Sequence, residues 1–293
     1  MTGCARDTGA TARRDVIGGI FVTQRTKLRR AALVLAATAL VVGAAGCAKE
    51  EATTTESGVK LVKDGKLTVC THLPYAPFQF NEGGKTVGFD VDLMDLVAKE
   101  LNVEQAVVDT PFEGIKSGQD LKTGKCDIAA AAMSITPERQ KVIDFSEPYF
   151  NATQAMLVKA GAPYKALADL KGKKVGAQAA TTGLDYVKKE APANGYTVVD
   201  YKDLAAQQQA LATGQIDAAV NDLPVWADFI KKNTGKFVIA AEFDTGDQYG
   251  FGMKKDGNPE LVKTVNSVLE KARNDGTYDK IYEKWIGTKP TSK

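Results

Sequence analysis

The residues best placed for chemistry begin at "SITPERQ" (134–140), where Thr136 can cap a helix whose first residue is Pro137. The free NH groups of that helix start and the guanidinium of Arg139 then converge on one spot, which suits an anion. A second helix start is written in "AATTGLDY" (179–186), where Thr181 and Thr182 stand among free NH groups. Asp222 supplies a single negative charge at the end of an apolar stretch. A ligand carrying a carboxylate and an ammonium on neighbouring atoms would answer all three features. This is the chemistry of capture, not of turnover. His72 is the only histidine, so a histidine-based triad and a multi-histidine metal site are both excluded, and no catalytic residue, metal or cofactor is expected.

The elements that must position these groups are written twice. "LKTGKCDIAAAAMS" (121–134) and "LATGQIDAAVNDLP" (211–224) share the frame L-x-T-G-x-x-D-x-A, 90 residues apart. Each reads as a helix end stopped by a glycine, Gly124 or Gly214, followed by a short apolar strand. A weaker echo pairs "GKLTVCT" (65–71) with "GKKVGAQ" (172–178). Between the strands, Leu93, Leu96, Val97 and Leu101 share one helical face, as do Leu261, Val265, Val268 and Leu269. Alternating helices and short strands apolar on both sides predict parallel sheets covered by helices, in two α/β lobes. Ligands of such sheets bind beyond the carboxyl ends of the strands. Facing lobes would therefore direct Ala132 to Ser134 and Asn221 to Asp222 into one cleft.

The chain has 293 residues, 25% charged and 44% apolar, a globular composition. Its N-terminus reads differently. "RTKLRR" (25–30) precedes a 16-residue uncharged run ending at Gly46, and then Cys47. That is the pattern of an export signal, and the run is shorter than the ~20 residues of a membrane-spanning helix. Residues 1–21 lie upstream of an ordinary signal and read as an early start, with Val22 the alternative initiator. Residues 47–57 read as a polar tether. Without residues 1–46, which hold 7 basic and 2 acidic side chains, 31 basic and 34 acidic residues remain of the 38 and 36 in the whole chain. The remainder is slightly acidic, so no electrostatic case for nucleic acid survives. Cys70 and Cys126 fall at different heights on the predicted strands. A disulfide needs alpha carbons within about 7 Å, so both are expected as buried small hydrophobes.

"GFDVDL" (88–93) and the ending "NDGTYDKIYEKWIGTKP" (274–290) carry a resemblance. From about Lys66 to Pro290 the chain resembles the polar amino-acid substrate-binding proteins of bacterial ABC importers, solute-binding family 3, most of all the glutamine-binding members. "AAGC" ending at Cys47 resembles a lipobox, which implies a lipid anchor at Cys47 on the extracytoplasmic face of the membrane, although Ala44 stands where that pattern prefers Leu or Val. The resemblance implies a two-lobed periplasmic-binding-protein-like fold of type II, each lobe a mainly parallel sheet flanked by helices. Hinge crossovers are implied at about 149–153 and 245–249. Lobe 1 would comprise 58–148 plus 250–293, and lobe 2 would comprise 154–244.

The same resemblance places a carboxylate clamp on Arg139, Ser134 and the backbone of Ala132 and Thr182. It places the ammonium partner on Asp222, aromatic walls on Tyr75 and Phe112, and the surroundings of the ligand side chain on His72, Gln178 and Asn221. The glutamine-binding pattern has an acid where this chain has His72 and a lysine where it has Gln178. Glu113 either faces a basic ligand or faces water. Asp90 and Asp92 read as acids of a helix first turn, complementing its dipole. The implied function is capture of a glutamine-like or basic amino acid by hinge closure of a monomer, and its delivery to a permease with its ATPase. The alternative is an exported enzyme on the same fold, of the cyclohexadienyl or prephenate dehydratase kind.

Overall fold

The computed structural model describes residues 52–290, all within one compact unit, Ala48–Lys293. The export signal and Cys47 lie outside the described residues.

Two five-stranded sheets carry the fold. In the first, the order is Glu104–Asp109, Lys66–Thr71, Ile128–Ala129, Gly252–Lys254, Ile143–Phe145. In the second it is Thr197–Tyr201, Lys174–Gln178, Ala218–Asp222, Phe150–Lys159, Phe237–Tyr249. The first three strands of each sheet are mutually parallel, and the last two pairings of each are antiparallel. Two successive antiparallel pairings return the last strand of each sheet to the direction of the first three. Each sheet is thus mainly parallel, as expected, with one opposed strand, Gly252–Lys254 or Phe150–Lys159, entering just after the chain crosses between the two halves.

The central strands are buried on both faces: Leu67, Val69 and Cys70 in one sheet, and every residue of Ala218–Asp222 in the other. Helix Phe89–Glu100 buries Leu93, Met94 and Val97, while Leu96 packs at its edge. Helix Pro259–Asn274 buries Leu261, Val265, Val268 and Leu269, the face its periodicity predicts.

The written repeat is also structural. Asp127 accepts from the backbone NH of Val62 and Thr68, and Asp217 accepts from that of Lys174, so each Asp pins the start of a neighbouring strand. Val69 pairs with Ile128 as Val175 pairs with Ala218. In this register His72 corresponds to Gln178 and Ala132 to Asp222, so the weaker sequence echo is displaced by one residue. Gly214 and Gly124 both adopt the left-handed conformation that ends a helix.

Cys70 and Cys126 form a disulfide with alpha carbons 5.6 Å apart, contrary to the expectation of two free thiols. The height argument fails because Cys126 lies two residues before the strand Ile128–Ala129, and the chain bends at Asp127. Position along the ladder therefore does not describe it.

Phe150–Lys159 and Phe237–Tyr249 form a long antiparallel pair beginning at Phe150 with Tyr249. Its register is interrupted between Phe243 and Asp247, where Gly246 has a left-handed backbone. Around its start Phe78 meets Phe150 and Tyr249 edge to face at 5.0 and 5.2 Å, and Tyr149 stacks on Phe251 at 4.0 Å.

Candidate ligand-binding cleft

Strand ends of both sheets converge on one small cavity. Of the ligand-site candidates, all but Asn221 line it.

Arg139 enters from the short helix Pro137–Gln140, whose N-cap Thr136 accepts from the Arg139 NH. Its side chain donates to the carbonyl oxygens of Ser134 at 2.7 Å and Ala180 at 3.1 Å, and lies 5.4 Å over the Phe112 ring. Arg139 is buried, and among the described residues it forms no ion pair with a carboxylate. Burial pushes its pKa down, opposed through space by Asp185, Asp222 and Asp247. Ser134 Oγ lies 3.3 Å from Thr182 Oγ1, at the start of helix Thr182–Asn194, which Thr181 caps by accepting from the Leu184 NH.

Asp222 forms the other end. It is fully buried and receives only neutral donors: the hydroxyls of Tyr75 (2.5 Å) and Tyr249 on Oδ2, and Gln154 Nε2 on Oδ1. Burial raises its pKa, and these hydrogen bonds oppose the rise. Although Asp222 occupies the N-cap position of helix Leu223–Lys232, its side chain makes no capping bond. Capping therefore does not explain it.

Asn221 points away from the cavity, because successive side chains of a strand face opposite sides. Its Nδ2 donates to Gln207 Oε1 at 3.0 Å, and its Oδ1 lies 2.6 Å from the Tyr75 hydroxyl. It braces the wall from behind rather than surrounding a ligand side chain. His72 and Gln178 line the cavity from equivalent strand ends, with His72 Nδ1 3.0 Å from the Thr110 carbonyl oxygen. Glu113 is exposed and pairs with Lys116 at 3.8 Å, so it faces water.

Two residues take roles that sequence reasoning missed. Gln79 lines the cavity through a bridge to Tyr75 within an irregular loop, which leaves no local signal. Asp90 lies in the first turn of its helix as expected but does more than complement the dipole. It is fully buried and accepts from the Ala132 NH and the Tyr149 hydroxyl, both at 2.8 Å, and burial lifts its pKa to about 7. Ala132 has a φ of 46°, which costs an alanine free energy unless its surroundings hold it there. Asp90 is that hold. Ala180 has a φ of 70°, and its carbonyl oxygen accepts from Arg139. Asp92 instead binds Lys284 and Trp285 of the last helix, both at 2.7 Å.

The model of the bacterial extracellular solute-binding proteins, family 3, matches residues 67–288. The chain belongs to that family. Among relatives of family 3, a probable histidine-binding protein of Neisseria gonorrhoeae is 33% identical over 261 residues, covering 87% of this chain and 94% of its own. An ancestral arginine-binding protein solved with arginine is 44% identical with a TM-score of 0.71, covering 75% of this chain and 98% of its own. An ancestral amino acid-binding protein described as a precursor of cyclohexadienyl dehydratase is 39% identical with a TM-score of 0.68, covering 76% of this chain and 95% of its own. The two-lobed α/β fold is shared with these structures.

Proposed function

We propose that this family 3 protein is the substrate-binding component of an ABC importer, that it captures a polar α-amino acid between its lobes, and that it delivers the amino acid to a permease. One observation carries the reading. Arg139, on the short helix Pro137–Gln140, and Asp222, at the end of strand Ala218–Asp222, are buried charges of opposite sign that line one cavity and have only neutral partners in their side-chain hydrogen bonds. An isolated buried charge is costly, and an α-carboxylate and α-ammonium would offset both at once.

The ligand carboxylate meets Arg139, Ser134 and the helix start at Thr182, with the backbone of Ala132 beside it. The ammonium meets Asp222, with Tyr75 and Phe112 as walls. The lobes are 58–148 plus 250–293 and 154–244, hinged at 149–153 and 245–249, beside the break in the register of the long strand pair between Phe243 and Asp247. Tyr75–Asp222, Ser134–Thr182 and Arg139–Ala180 already join the two halves. A ligand touching both halves favours the closed state by its differential affinity for it. The protein acts as a monomer outside the cytoplasm, tethered through a lipid on Cys47.

The test is calorimetry of the unit Ala48–Lys293 against the standard amino acids. Micromolar or tighter binding of a polar one is expected, equivalent to about 8 kcal/mol, and absence of binding to every one would sink the reading. Turnover of prephenate to phenylpyruvate by the same preparation would favour the enzyme instead.

A further inference from the structure

One carboxylate stands beside the cleft without forming part of its walls. Asp247 is half-buried and does not line the cavity. It is the first residue after the break in the long strand pair, where the ladder resumes opposite Ala152. Its Oδ2 accepts from the hydroxyls of Thr245 at 2.8 Å and Thr182 at 3.2 Å, and Gln154 Nε2 lies 3.4 Å away. An ionised carboxylate can only accept, so these contacts fix the hydrogens around it. The single hydroxyl hydrogen of Thr182 goes to Asp247, which leaves its lone pairs towards Ser134 Oγ, 3.3 Å away. Of these two hydroxyls Ser134 alone keeps a hydrogen for an anion, and Thr182 offers its backbone NH. The amide of Gln154 is oriented in the same way, its NH2 group facing both Asp222 and Asp247.

The residues that follow Asp247 reach the opposite half. The Gln248 carbonyl oxygen accepts from the Ile135 NH at 2.8 Å, and Tyr249 forms a bridge with Ser134. Gln248 Nε2 also donates to Asn151 Oδ1, in the other crossover, at 2.9 Å. Ser134 is thus held through the backbone of this crossover and Thr182 through a side chain of it. We infer that Asp247 is a positioning residue for ligand capture: it holds the Thr182 hydroxyl and, through Gln154, Asp222, and so ties the second crossover to both ends of the cleft. The inference rests on the amino-acid reading of the cleft. Asp247 also brings a charge. Burial is the main cause of the raised pKa of Asp222, and Asp247 adds to the rise through space. The other titratable groups that act on Asp222 or feel its charge are Tyr75, Tyr249, Tyr149 and Arg139. Loss of the Asp247 charge therefore lowers the pH at which Asp222 takes a proton.

Calorimetry of the full chain is run with L-arginine and L-glutamine as probes. Asp247→Ala is expected to bind at least ~10-fold more weakly, because the ligand must then order Thr182 and Gln154 itself. Thr182→Val should cost less affinity in that background than in wild type, since both changes remove the same bond. In Asp247→Asn the loss of affinity on acidification should begin at a lower pH than in wild type, a shift that a merely structural role would not produce. The ligand-free melting temperature reports that each variant is folded. Affinity of Asp247→Ala within about twofold of wild type overturns the inference, as does full additivity with Thr182→Val or an unmoved acid limb in Asp247→Asn. In each of those cases wild type still binds, and only the role of Asp247 falls. If neither probe nor any other standard amino acid binds wild type, the amino-acid reading falls and the inference with it.

Discussion

Replacing Asp90 by Asn tests how the cleft is held, and its effect can be worked from the burial of one carboxylate. Asp90 is fully buried, and its pKa stands at about 7 against an ordinary 3.8. Between those values the folded protein keeps a proton that the unfolded chain releases, so stability falls as pH rises through the window. The contribution is fully present below pH 3.8 and lost above about pH 7. A difference of roughly three units at 1.36 kcal/mol each gives about 4 kcal/mol, an order-of-magnitude figure. Asp90→Asn cannot titrate and should lack this slope. The stability difference between wild type and variant, from urea unfolding between pH 4 and 8, should therefore shift by about 4 kcal/mol in favour of the variant at high pH. Parallel curves would refute the burial argument. Because the carboxylate also holds Ala132 in its left-handed conformation, the variant should bind ligand more weakly even where it is the more stable protein, which separates the hold from mere folding.

Arg139→Met should weaken ligand binding by at least ~100-fold in calorimetry, since two charge-assisted hydrogen bonds are worth about 3 kcal/mol or more. It should leave the ligand-free melting temperature unchanged or raised, because it removes a buried cation. Wild-type affinity should fall on acidification from neutral pH, beginning above the ordinary aspartate value of 3.8, as the raised Asp222 takes a proton and loses its hold on an ammonium; this limb should vanish in Asp222→Asn. Gly88→Ala should lower stability by about 3 kcal/mol, measured by urea unfolding, because its φ is 140° and an added Cβ would meet the Phe78 carbonyl oxygen at 2.1 Å. Replacing Cys70 and Cys126 together by Ala should cost about 4 kcal/mol in urea unfolding, from the chain entropy of a loop closed across 56 residues.

What the sequence disclosed depended on how local each signal was. The Thr136–Pro137 cap that delivers Arg139 is written within four residues, and the repeat points to Asp222 because an equivalent strand ends at the same place. Both are legible. Asp90 is not, since its partners are the Ala132 NH and the Tyr149 hydroxyl, and nothing near it in sequence separates a dipole acid from a buried hydrogen-bond acceptor. Gln79 is hidden by an irregular loop. Asn221 was placed beside Asp222 without regard to strand alternation, and the disulfide was rejected on a strand boundary two residues in error. The one opposed strand of each sheet has no local signal, because its direction depends on where the chain crosses between halves, a long-range property.

The correspondence between the two halves has one further consequence. A pair of identical units facing each other across a twofold axis would present the same residue from both sides, and such a cleft would have no direction. Here the equivalent positions hold Ala132, with its backbone, and Asp222, with its charge; the next pair holds His72 and Gln178. The difference between the two walls gives the cleft a polarity, and on the proposed reading a dipolar molecule would be received in one orientation.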